Sequence, residues 1–154
     1  MSVKQIEPRI RIAQTIHATP ERLFRAWTDP EQLARWWRMD EAGWSFAGAS
    51  IDLRVGGAYR IAMTAPDGKT HAAIGTYREV QPPTRLVFTW DWEDLTHRVG
   101  DTVVTVDIRR VSAERSEVVL THEGFGDVAR IPGHTSGWRQ LLRLLNRATT
   151  EQPT

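Results

Sequence analysis

Between Arg9 and His17, Ile10 and Ile12 alternate with Arg9 and Arg11, the period of a half-exposed strand. The stretch TPERLFRAWTDPEQLARWW, residues 19 to 37, then repeats itself: Thr19-Pro20-Glu21 leads to Trp27, and Asp29-Pro30-Glu31 leads to Trp37. Thr19 and Asp29 read as helix N-caps. Each precedes a proline suited to the first helical position and a glutamate that favours the positive end of the helix dipole. Asp29 with Gln32 also has the spacing of a capping box. The pattern predicts two short helices in series, each closing on aromatic residues.

From residue 46 the period becomes two. SIDLRV sets Ile51, Leu53 and Val55 on one face, Gly56-Gly57 suits a two-residue hairpin, and AYRIAM returns with Tyr59, Ile61 and Met63 in phase. Pro66-Asp67-Gly68 marks another turn before HAAIGTYREV, which Pro82-Pro83 ends. RLVFTWDW follows with Leu86, Phe88, Trp90 and Trp92 in phase, and residues 93 to 101 form a polar loop. TVVTVDIRRV and EVVLTHEG supply Val104, Val106, Ile108, Val118, Leu120 and His122. Strand after strand with short turns predicts an antiparallel meander with one apolar face.

The end of the chain is helical. In HTSGWRQLLRLLNRA, Trp138, Leu141, Leu142 and Leu145 follow i, i+3, i+4, i+7, with His134 one turn earlier on the same face and Arg139, Arg143 and Arg147 opposite. An apolar stripe of this length needs an apolar surface, and the sheet is the only one on offer. The expected fold is therefore α+β: a curved antiparallel sheet wrapped around a long C-terminal helix, with two short helices after the first strand.

Composition narrows this further. A chain of 154 residues with 40% hydrophobic and 25% charged side chains suits one globular domain spanning 1–154. Its net charge of +1 sets up no field for nucleic acid, and no apolar run approaches the ~20 residues that span a bilayer, so neither nucleic acid binding nor membrane insertion is expected. The absence of cysteine excludes disulfides and thiolate chemistry. The start, MSVKQIEPRIRIAQ, lacks the apolar stretch of a signal peptide, and a cytoplasmic location is the default expectation. Five histidines, at 17, 71, 97, 122 and 134, show no short ligand spacing, so no metal and no cofactor are expected. The seven tryptophans are unusual, and aromatic walls are what ligand cavities favour.

TPERLFRAWTDPEQLARWW after a strand, then GGAYR, PDG, G-x-Y-x-E-V-x-P-P-x-R-L-V-F-T-W and a GW-headed, Leu-rich helix resemble the START-like (SRPBCC, Bet v 1-like) superfamily. Within it the similarity is greatest to the group named after the activator of heat-shock protein 90 ATPase, over about residues 9 to 148. The resemblance implies a helix-grip fold with a cavity between helix and sheet that holds a hydrophobic or amphipathic molecule. It also implies that the short helices close the sheet's narrow end, with Trp27 and Trp36 lining the cavity and Trp37 divided between lining and packing.

The candidate ligand-binding residues are Trp27, Trp36, Tyr59, Ile61, Met63, Tyr77, Phe88, Trp90, Trp92, Leu120, His122, His134, Trp138, Leu141, Leu142 and Leu145. Close packing would make about half of the inward positions plain core. His122 and His134 are polar exceptions on apolar faces, able to orient a ligand or move a proton. Three functions follow. The leading one is a small-molecule binding protein. The second is a cyclase-, aromatase- or hydrolase-type enzyme using His122 or His134 as general acid/base, with Tyr59 orienting. The third, from the family name, is a chaperone partner that stimulates an ATPase. The resemblance admits a homodimer.

Overall fold

The computed structural model describes residues 8–151. Strand β1 (Arg9–Ile16) is followed by helices α1 (Pro20–Thr28) and α2 (Pro30–Leu33), and then by β2 (Ser45–Ile51), β3 (Ala58–Thr64), β4 (Thr70–Gln81), β5 (Arg85–Trp92), β6 (Thr102–Arg110) and β7 (Ser116–Glu123). Helix α3 (Ile131–Glu151) ends the described chain. The strands form one antiparallel sheet in the order β1-β7-β6-β5-β4-β3-β2, so a six-strand meander accepts β1 at its last edge. The sheet curves around α3, the helix-grip arrangement.

The helix caps form as expected, with one exception. The Thr19 side chain accepts a hydrogen bond from Arg22 N and Asp29 Oδ1 accepts one from Glu31 N. Asp29 does not complete a capping box with Gln32, because its own N–H already donates to Arg25 O at the end of α1. One residue thus ends one helix and starts the next, which leaves no linker between them. Helix α1 packs against β6 and α2 against β2, so the pair bridges distant strands of the same sheet.

Two elements depart from the sequence pattern. Strand β2 stops at Ile51, and Leu53 and Val55 point into solvent at 39% and 66% exposure. The Gly56-Gly57 turn is not a two-residue hairpin. Gly56 N donates to Tyr77 O and Tyr77 N donates to Gly57 O, so this segment leaves the β2–β3 ladder and pairs with the bulge of β4 between Tyr77 and Glu79. A side chain at Gly57 would place Cβ 2.0 Å from Asp52 O, so glycine is required there. Helix α3 begins three residues before His134, after a turn at Val128–Arg130 in which Asp127 Oδ1 accepts from Ala129 N.

Register places the inward residues opposite one another. Ile10 and Val104 flank His122, Ile12 and Val106 flank Leu120, and Phe88 pairs with Val104. Leu23, Leu33, Leu142 and Leu145 complete a dry core under the C-terminal half of α3.

Candidate ligand cavity

The helix and the sheet meet differently along α3. Beside its C-terminal half the space is filled. Trp27 packs edge-on against Trp36 with ring centroids 4.8 Å apart, and Trp36 Nε1 donates to Ala26 O at 2.8 Å. Trp138 lies 5.0 Å from Trp90, 5.7 Å from Trp37 and 6.1 Å from Trp27, and Trp92 lies 5.4 Å from Trp90, so six indoles form one cluster that plugs the interior. The repeated proline-capped helices deliver three of them.

Beside the N-terminal half of α3 a cavity of about 360 Å³ remains. Its walls are Trp37, Met39, Met63, Trp90, Trp92, Trp138 and Leu141, and its polar groups are His97, Arg130 and His134. Gly133 and Gly137, one turn apart on α3, also line it, and a Cβ at either position would meet nothing within 4 Å. A helix face stripped of side chains is what keeps the space open. Alanine there would itself favour the helix by about 0.5–1 kcal/mol, so the glycines are not explained by helix formation.

Six expected residues therefore meet at the cavity: Met63, Trp90, Trp92, His134, Trp138 and Leu141. Trp27, Trp36, Ile61, Tyr77, Phe88, Leu120, Leu142 and Leu145 are buried in the core, and His122 stands behind the wall. The expected lining by Trp27 and Trp36 is corrected, since the turn after α2 carries Trp37 inward past Trp36 and Trp37 takes the place on the wall. Tyr59 is core as well; its hydroxyl donates to Thr89 O, and burial raises its pKa well above the ordinary phenol value. Met39, His97, Ala129, Arg130, Gly133 and Gly137 carried no usable signal, being in loops or lacking a side chain.

The two histidines are held in fixed tautomers. His122 Nδ1 accepts from Trp138 Nε1 at 3.0 Å, which leaves Nε2–H to donate to Thr102 Oγ1 at 2.9 Å; Thr102 donates onward to Trp90 O. His134 Nε2 accepts from Trp92 Nε1 at 3.1 Å, so its Nδ1–H donates to Arg130 O at 2.8 Å. Burial pushes the His122 pKa down to about 3 and lowers that of His134, the latter opposed by the Arg130 carbonyl. A proton added to either ring would face an indole N–H. Both act as girders that orient cavity tryptophans, and proton transfer by either would first break a wall contact.

Folding also assembles a group that chain spacing did not foretell. His71, Asp94 and His97 come from β4 and the loop after β5, and one donor atom from each lies within 4.8 Å of the others. The sequence shows no short ligand spacing among them, because strand pairing and the loop after β5, not sequence distance, make them neighbours. On another face, Arg143 and Arg147 border a groove with Arg35, Arg38 and Asp40 along the C-terminal half of α3, while Arg139 is exposed. No helix among the described residues is long and apolar enough to cross a membrane.

Residues 17–149 match the family model described as Activator of Hsp90 ATPase homolog 1-like protein. Among solved structures, protein CV1439 from Chromobacterium violaceum is 31% identical with a TM-score of 0.79, covering 90% of this chain and 95% of its own. The Mll3558 protein from Rhizobium loti is 27% identical with a TM-score of 0.75, covering 93% and 97%. The AHSA1 (SPO3351) protein from Silicibacter pomeroyi is 24% identical with a TM-score of 0.79, covering 93% and 98%. No curated protein matches.

Proposed function

The chain belongs to the Activator of Hsp90 ATPase homolog 1-like family, and from that footing we propose that it binds a small, flat, largely aromatic molecule bearing one acidic group. The observation that carries this reading is the pair of bare glycine positions, Gly133 and Gly137, over a tryptophan-walled space. At about 360 Å³ the cavity lies at the small end of ligand sites, which run from roughly 300 to 1,000 Å³. Four indoles offer ring faces suited to stacking. Arg130 is the cation on the wall, and no ion pair involves it among the described residues, so an anionic group of the ligand has a natural counterpart. The exposed apolar residues Leu95 and Val128 stand in the two turns that border the opening.

Gly137→Leu tests the site apart from the fold. The leucine side chain enters the cavity, so binding of 2-naphthoate, read by quenching of tryptophan fluorescence, is expected to weaken more than tenfold. The melting temperature should hold or rise, because leucine is a better helix former than glycine by roughly 1 kcal/mol. Unchanged 2-naphthoate binding would remove the cavity as the site.

Arg130→Gln tests the acidic group. A charge-assisted hydrogen bond is worth about 1.5–3 kcal/mol, less at a half-exposed rim. The expected loss for 2-naphthoate is about three- to tenfold, with none for neutral 2-methoxynaphthalene. Equal losses for both compounds would refute the charge role.

A further inference from the structure

We infer that His71, Asp94 and His97 form a binding site for a divalent transition-metal ion of the zinc class at the rim of the sheet. The inference does not depend on the cavity reading, although His97 and Trp92 line both spaces. His71 pairs with Met63 across the β3–β4 ladder, and Ala73 pairs with Trp92, so His71 shares the inner face of the sheet with cavity residues at its open end. The turn at Leu95–His97 folds back over this end and brings the His97 ring to 5.2 Å from that of His71, edge to face. Trp44 also packs against His71, with ring centroids 5.5 Å apart. The three donor atoms converge on a cleft of about 590 Å³, where Lys69 and Asp67 are the other charged neighbours.

The donor chemistry is specific. Two imidazoles and one carboxylate suit zinc, cobalt, nickel or copper better than the oxygen-seeking calcium or magnesium. Metal bonds of ~2.1 Å in a tetrahedron need donors ~3.4 Å apart. Asp94 Oδ2 and His97 Nδ1 share a hydrogen bond at 2.8 Å, which a bound metal would replace, and one donor atom from each of the three residues lies within 4.8 Å of the others, so small side-chain rotations close the set. The ring of His71 makes no hydrogen bond to the described residues that would have to be broken. Three protein ligands leave a fourth position open towards the cleft, the pattern of metal sites that accept a further ligand.

The test is calorimetric titration of the untagged, chelator-stripped full chain with Zn²⁺, with Co²⁺ as a spectroscopic stand-in. One Zn²⁺ per chain is expected, together with visible Co²⁺ bands lacking a thiolate contribution, since the chain has no cysteine. His71→Ala and His97→Ala should each weaken Zn²⁺ at least tenfold and abolish the Co²⁺ bands, whereas His17→Ala should leave both unchanged. Absence of one-to-one Zn²⁺ binding, or binding that survives both substitutions, would overturn the proposal. Binding of 2-naphthoate measured with chelator present reports on the cavity alone, so failure of one reading is visible without the other.

Discussion

Trp138→Ala is expected to destabilise the protein by about 5 kcal/mol. Trp138 is 2% exposed and touches Trp27, Trp37, Trp90 and His122, so its removal empties the point where helix, sheet and short helices meet. Truncating a buried tryptophan costs ~3–5 kcal/mol in lost burial and cavity formation. The same change deprives His122 Nδ1 of its donor, adding about 1–3 kcal/mol for a buried acceptor left alone. Against a typical total of about 5–15 kcal/mol, this is a third of the stability or more. At ~2–4 °C per kcal/mol for a chain of this size, the melting temperature should fall by about 10–20 °C. Trp138→Phe is the milder change, since it keeps one aromatic ring in the site while losing the N–H and part of the indole; a loss of at least about 1–3 kcal/mol is expected there. Urea titration of the three proteins reads all of this. A loss below about 2 kcal/mol for the alanine variant would mean that the indole cluster is not the keystone of the interior.

What could be read from the sequence, and what could not, follows from which physical signals are local. The period-two runs of β3, β5, β6 and β7 and the stripe on α3 depend on each element burying one face, and their inward residues are those expected. Proline-capped helix starts are equally local. Where β2 ends is not, because Gly56 and Gly57 answer to the β4 bulge some twenty residues away, leaving Leu53 and Val55 outside. The division of the interior into plug and cavity was also hidden. It depends on the turn after α2, which sends Trp37 into the cavity and Trp36 into the core, and on two glycines that contribute space instead of contacts. His122 and His134 stood out as polar residues on apolar faces. Only their indole partners, from β5 and α3, show them to be structural supports.

Those supports make stability depend on pH in a defined window. His122 is held neutral, with its pKa pushed down to about 3 by burial and by neighbouring His134, whereas an unfolded histidine titrates near 6.5. Below pH 6.5 the unfolded chain therefore binds a proton that the folded chain refuses, and stability falls as pH falls; above 6.5 neither state binds it and the contribution is flat. Each pH unit inside the window costs about 1.4 kcal/mol, so about 2 kcal/mol should disappear between pH 6.5 and pH 5 from His122 alone. His134, also lowered by burial, adds in the same direction. The carboxylates lowered by hydrogen bonds, Glu93 to Arg60 and Asp94 to Thr96, lose their contribution only below the ordinary carboxylate range, so this upper window belongs to histidine. In His122→Asn the Oδ1 atom can accept from Trp138 Nε1 and does not titrate, so urea titrations at pH 7 and pH 5 should converge for this variant relative to wild type. An equal loss in both proteins would place the proton elsewhere. It would also remove the claim that the ring facing Trp138, Thr102 and Phe125 is kept neutral by the fold.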